Sequence, residues 1–294
     1  MGRMNAPERR TLEGNGLPLA LWDYGGDGPP VLFLHGFLDT GRSFEDLAFG
    51  LRGRCRALCL DWRGHGASGW VGAGGAYHQL DHLKDLVAVL QALRTEGQAP
   101  VAVVAHSMGG IVALQLAASR PEFISRLLLL DCIGGYSADA DTQIDQLGQV
   151  VDSVCVPKRP FRSFPGRAEA EARIRHNNPG LTDEGAERIA RHYFEAAEDG
   201  TLTARLDPRL RGPNPYRFPE GHWQRICART SVPVAVLAPE TGYCRRIEAL
   251  RERYTCFPDA TWQDLDGVSH HVHVEAVDTV VEALVALLAR PTRT

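Results

Sequence analysis

The chain has 294 residues, 44% hydrophobic and 23% charged, with a formal net charge of −4. That length buries a sizeable core, as one α/β domain with an inserted subdomain or as two domains. A mildly acidic chain with no run of Lys or Arg argues against nucleic acid or an acidic membrane surface as its main partner. The amino-terminal MGRMNAPERR has no apolar stretch behind its charges, and Ala6 stands where a myristoylation motif after Gly2 requires Ser or Thr. Neither a secretory leader nor a lipid anchor is therefore expected. No apolar run approaches the roughly 18 residues of a membrane span. The seven cysteines, at 55, 59, 132, 155, 227, 244 and 256, are odd in number and lack C-x-x-C spacing. They predict small core residues in a reducing cytoplasm, not a zinc site or a disulfide framework.

In chain order, TLEGNGLPLALWDYG reads as two edge strands joined by the Asn15-Gly16 turn. Short apolar runs then recur: VLFL (31–34), RALCL (56–60), VAVVA (101–105), LLLL (127–130), VAVLA (234–238) and ATWQDL (260–265). Continuous apolar runs suit strands covered on both faces, as in a parallel sheet. Between them lie helical spacings. Leu80, Leu83, Leu86, Val87, Leu90 and Leu93 share one face of 79–94, with Asp81 and Asp85 in its early turns; 108–119 is small and apolar; 276–289 carries Val277, Val280, Val281, Leu284, Leu287 and Leu288. Regular alternation of strand and helix predicts a doubly wound, mostly parallel α/β sheet. The alternation breaks over 134–228, rich in Arg, Glu and Pro, with helices expected near 139–156, 166–177 and 182–198 and no strong strand. This segment reads as a helical cap or lid inserted into a core formed by 1–133 and 229–294, over the sheet end where such folds bind ligands.

The motif with most chemistry is AHSMGG (105–110), which follows a strand and opens a helix. That is the context of a nucleophile elbow, G-x-S-x-G, with Ala105 in place of the first glycine. At the tip Ser107 projects its hydroxyl beside a helix N-terminus. The plainer alternative is a serine N-cap followed by packing glycines. HGFLD (35–39) and DWRGHGAS (61–68) follow two other strands. With these three motifs in this order the sequence resembles the α/β-hydrolase superfamily. The resemblance implies a catalytic triad in the chain order Ser, acid, His and an oxyanion hole of backbone N–H groups from Phe37 and Met108. His35, His65 and Ser68 are assigned to shaping loops.

A serine needs a base to take its proton. GVSHHVHVE (267–275) offers three histidines, and the family pattern G-x-x-H-x-x-x-x-E points to His270, with Glu275 as marker and His271 as rival. His271 and His273 alternate as on a strand face, which leaves a metal reading open, but no acidic or Cys partner has ligand spacing, so no metal is expected. The acid departs from the commoner pattern: PETG (239–242) puts Gly242 where the usual Asp stands. Asp131, at the end of LLLLDC, is favoured, since haloalkane dehalogenases take their acid from after this strand; Glu240 is the alternative, and a backbone-bonding strand end is the plain reading of Asp131. The departure, with PPVLFLHGFLDTGRSF and DPRLR, narrows the resemblance to serine hydrolase-like proteins.

The function expected from these residues is hydrolysis of carboxylic esters of small to medium acyl groups, without a cofactor. Other acyl or C–C bond hydrolysis, acyl transfer, or a catalytically silent binding protein are the alternatives. Tyr136, Phe161, Phe164, Tyr193, Phe194, Tyr216, Phe218 and Trp223 are candidates for a pocket wall, of which two or three are expected to touch substrate.

Overall fold

The computed structural model describes residues 6–292 except 155, 157, 158 and 215. The readings at Gly2 and Cys155 lie outside the described residues. Strands β1 (Glu8–Glu13), β2 (Pro18–Asp23), β3 (Pro30–Leu34), β4 (Arg56–Leu60), β5 (Ala102–His106), β6 (Leu127–Leu130), β9 (Val234–Pro239) and β10 (Ala260–Leu265) form one sheet in the order β1-β2-β4-β3-β5-β6-β9-β10. From β4 to β10 every pairing is parallel. β1 pairs antiparallel with β2, and β2 antiparallel with β4, so β2 is an interior strand, not the edge strand expected.

Both faces of the parallel strands are covered, which is why their sequences run continuously apolar. Leu32, Leu34, Val103, Ala105, Leu127 and Leu129 enter one core, with residues of α2 (Gln79–Thr95) and α3 (Met108–Ser119). Val31, Phe33, Val104, Leu128 and Leu130 enter the other, with α1 (Glu45–Gly50) and α11 (Val277–Leu288). Asp85 of α2 has more than a helix-dipole role: it is fully buried, and its carboxylate accepts from Arg63 Nε at 2.5 Å and Nη2 at 2.6 Å.

Between β6 and β9 lie α4 (Ala140–Val154), α5 (Arg167–Asn177), α6 (Asp183–Tyr193), β7 (Phe194–Ala196), β8 (Leu202–Ala204) and α7 (Glu220–Arg229). The helix expected to reach 198 ends at Tyr193; the chain turns there into an antiparallel hairpin, Phe194 opposite Ala204. Aromatic residues at 193 and 194 favour the extended conformation, and Phe194 packs on Phe164 and Tyr193. Three short helices follow later, α8 (Tyr243–Arg246) and α9 (Glu248–Tyr254) after β9, and α10 (Val272–Glu275) before α11.

The chain leaves β3 for β4 on one side, then crosses back to β5 on the other. The sheet order reverses there, and the carboxyl ends of β3 and β5 border the crevice that open α/β sheets use for ligands.

Candidate active site

Three non-glycine residues have positive φ among the described residues: Leu38 (55°), Ser107 (47°) and Asp131 (50°). They follow β3, β5 and β6, three adjacent strands. Such conformations cost about 1–3 kcal/mol each and gather where a site requires them.

Ser107 has ψ −115° and no side-chain capping bond, so the serine N-cap alternative does not describe it. The turn it tips is tight on every side. A Cβ on Gly109 would meet Leu34 O at 2.5 Å, and one on Gly36 would meet His106 Nδ1 at 2.8 Å and Ser107 Cβ at 3.2 Å. The loop after β3, which carries Phe37, is thus pressed against the elbow. Phe37, Ser107 and Met108 share the wall of one cavity of about 450 Å³. Asp131 also lines it, with Tyr136, Tyr216 and Trp223 from the inserted segment. Phe161, Phe164, Tyr193 and Phe194 line a different cavity, beside His271.

His270 Nδ1 lies 2.5 Å from Asp131 Oδ2. The carboxylate is fixed by two backbone donors, Tyr243 N to Oδ2 and Cys244 N to Oδ1, both at 2.8 Å. Gly242 precedes them, and a Cβ there would fall 2.3 Å from Asp131 Oδ2. The Asp131 carboxylate occupies the space that a side chain at 242 would need. Glu240 is exposed, and its carboxylate accepts from Gly267 N at 2.7 Å. His271 is buried, with no hydrogen-bond partner for Nδ1, and burial followed by the charge of its histidine neighbours pushes it down to about 3. Glu275 staples the histidine loop: its carboxylate accepts from Ser269 N (2.8 Å), Ser269 Oγ (2.5 Å) and, from the inserted segment, Thr182 N (2.8 Å). Tyr243 packs edge-on to His270, ring centroids 4.6 Å apart.

Below the elbow, His106 Nε2 meets His270 O at 2.9 Å, and its ring lies 4.5 Å from those of both His270 and His273. Burial, then the neighbouring histidines, holds His106 well below the ordinary histidine range. His273 sits in a helical turn, not on a strand. It has the acidic partner that sequence spacing did not reveal: its Nε2 lies 3.4 Å from Asp39 Oδ2. Burial would raise Asp39, but the hydrogen bond and charge of His273 outweigh it and hold that carboxyl at about 2. Asp39, His106 and His273 together offer three potential ligand atoms within 4.8 Å of one another.

The remaining motif residues bond the backbone of the loops after β3 and β4. His35 Nε2 accepts from Trp62 N at 3.0 Å, so its proton is on Nδ1, which donates to Gly36 O at 2.7 Å. His65 is used alike, accepting from Leu38 N (3.3 Å) and donating to Arg63 O (2.9 Å). Burial lowers the pKa of both. Ser68 Oγ donates to Asp61 O at 2.6 Å and accepts from Ala20 N at 2.8 Å.

A reversed parallel sheet with a strained serine turn at its switch point defines an α/β hydrolase, and the chain belongs to the alpha/beta hydrolase family, whose sequence profile matches residues 31–283. Within it the chain is similar to a serine hydrolase-like protein of Dictyostelium discoideum, 24% identical over 287 residues (92% of this chain, 78% of that protein). An esterase of Mycobacterium tuberculosis is 32% identical over 159 residues, 54% of this chain and 50% of the other. The crystal structure of a hypothetical protein from Pseudomonas aeruginosa superposes with a TM-score of 0.85 at 28% identity, covering 97% of this chain and all of that one. No helix among the described residues is long and apolar enough to cross a membrane.

Proposed function

We propose that the protein is a serine hydrolase of carboxylic esters, with Ser107 as nucleophile, His270 as general base and Asp131 as the acid. The observation that carries this reading is the 2.5 Å contact of His270 Nδ1 with Asp131 Oδ2, with Asp131 and a left-handed Ser107 on the wall of one cavity. With its Nδ1 proton donated to the carboxylate, the imidazole has Nε2 free to accept a proton from the serine. The hydroxyl oxygen attacks the acyl carbon, and backbone N–H groups of Phe37 and Met108 receive the oxyanion. The protonated imidazole then gives its proton to the leaving alcohol. Water, deprotonated in turn by His270, releases the acid from the acyl-enzyme.

Ile111, Val112, Trp223, Ile247 and Leu250 give the cavity an apolar lining. With its volume this favours small to medium acyl groups. Residues 134–228 act as a cap in this proposal, supported by the part that Gly134, Tyr136, Leu210, Asn214, Tyr216, Arg217 and Trp223 take in the cavity wall. A reducing, cytoplasmic setting is supported by the free state of Cys55, Cys59, Cys132, Cys227, Cys244 and Cys256.

A fluorophosphonate probe tests the nucleophile. Wild type is expected to label covalently and to hydrolyse p-nitrophenyl butyrate, and Ser107→Ala to do neither. An unlabelled, folded wild type refutes the hydrolase reading; label retained in Ser107→Ala refutes the nucleophile.

A further inference from the structure

A second groove, of about 620 Å³, adjoins the acyl cavity, and Gln79, Asn214 and Tyr216 line both. Its character differs from that of the cavity. Arg120, Arg225 and Arg229 line it, and no Asp or Glu does among the described residues. None of these three arginines is ion-paired among the described residues. Arg120 donates to the backbone oxygen of Ser119, and Arg225 and Arg229 stand exposed on α7. Elsewhere on this acidic chain arginines commonly meet carboxylates, as Arg188 meets Asp46 and Glu184, and Arg245 meets Asp266. A fourth cation, Arg217, lines the acyl cavity and lies 5.6 Å from the Tyr136 ring centroid. Along the same groove Phe218 and His222 stack face to face, 4.1 Å apart and 6° from parallel, and Tyr216 is 68% exposed.

Guanidinium groups without carboxylate partners suit phosphate oxygens, which they bind with charge-assisted hydrogen bonds. Phe218 is covered by His222 and Trp223, which leaves the exposed rings of Tyr216 and His222 as flat faces that suit a nucleobase, whatever its pattern of donors and acceptors. Continuity with the acyl cavity means that one molecule can occupy both. An acyl group in the cavity, a scissile bond at Ser107, and a leaving group carrying phosphates and a purine along the groove together describe a coenzyme A thioester.

We propose that the groove binds the nucleotide end of an acyl-coenzyme A, making the preferred ester a thioester; this rests on the hydrolase reading of Ser107. In the reaction the serine oxygen bonds to the thioester carbonyl and the C–S bond breaks. The thiol leaves with the proton that His270 took from Ser107, and water then hydrolyses the acyl-enzyme. The sum is thioester plus water giving carboxylic acid plus free thiol, with no change of oxidation state.

Two measurements test it. The first is the ratio of kcat/KM for butyryl-coenzyme A to that for butyryl-N-acetylcysteamine, which has the same thioester but no nucleotide. The ratio is expected to exceed about tenfold in wild type, to fall toward one in Arg225→Ala/Arg229→Ala, and to fall with added salt as surface charges are screened. A wild-type ratio near one, or a ratio unchanged by the double substitution, overturns the proposal, as does hydrolysis of p-nitrophenyl butyrate without hydrolysis of either thioester. The second is calorimetric binding of coenzyme A itself to Ser107→Ala, which needs no catalysis. Binding weakened by the two arginine substitutions supports the groove even if the fluorophosphonate test fails. Absence of binding at millimolar ligand overturns it even if that test succeeds.

Discussion

The Asp131–His270 pair makes Gly242 the most informative single substitution. Gly242 has φ −82° and ψ 178°, which alanine adopts without strain, so Gly242→Ala acts through its added methyl alone. That methyl would sit 2.3 Å from Asp131 Oδ2 and 2.5 Å from both Cγ and Oδ1. An ordinary contact needs about 3.4 Å or more, so the carboxylate must retreat by about 1 Å, and a misplacement of that size costs on the order of 10²-fold in rate. Neutralising the proposed acid, as in Asp131→Asn, is expected to cost on the order of 10⁴ in kcat. The loss should fall on kcat for p-nitrophenyl butyrate with KM little changed, since in the proposed mechanism the carboxylate positions the base and does not hold the ester. The overlap also indicates that a carboxylate at 242 would reach the space Asp131 vacates. Asp131→Gly/Gly242→Asp is therefore expected to recover part of the activity lost in Asp131→Gly. If Gly242→Ala, folded by circular dichroism, keeps kcat within about threefold of wild type, the acid assignment and the packing argument behind it both fail.

Stability should fall on mild acidification. Burial first, with smaller charge effects, holds His271 at about 3 and His82 at about 4 in the folded chain, against 6.5 for an ordinary histidine. Between pH 6.5 and these values the unfolded chain binds more protons, so lowering the pH favours unfolding, by about 2 kcal/mol per histidine from pH 7 to pH 5. Urea denaturation at the two pH values checks this, and equal stabilities refute it. Arg63→Ala leaves the fully buried Asp85 carboxylate without its ion partner, an expected loss of about 3–5 kcal/mol read from the same denaturation curves. Glu275→Gln weakens the staple that joins the His270 loop to Thr182; kcat is expected to drop roughly tenfold with the pH profile of kcat/KM shifted, and an unchanged profile with full kcat would show that the loop holds itself.

Much of this was legible in the chain. The runs at 31–34, 56–60, 127–130 and 260–265 and the helix at 108–119 depend on neighbours a few residues away, and each lies in its element with ends shifted by no more than a residue. Ser107 was legible because an elbow is a local structure: strand, tight turn, helix. The hairpin of β7 and β8 was not, since three-residue strands carry too little pattern to stand against a helical stretch that runs into them. Nor was the buried partnership of Asp85 with Arg63, because a carboxylate in a helix's early turns has a sufficient local reason to be there.

Sequence alone therefore determined the class of fold and the residue at the tip of its elbow. It also pointed to His270 and favoured Asp131, with His271 and Glu240 as rivals; that His270 and Asp131 are in contact was decided only in three dimensions. Asp131 and His270 are separated by 139 positions and are brought together because β6, before Asp131, and β10, before His270, both lie beside β9, whose following turn presents two N–H groups to the carboxylate. Asp39 and His273 meet for the same kind of reason. A glycine at 242 reads in sequence as an acid missing from its place. In the folded chain it is the room that Asp131 needs, because two side chains cannot share one volume.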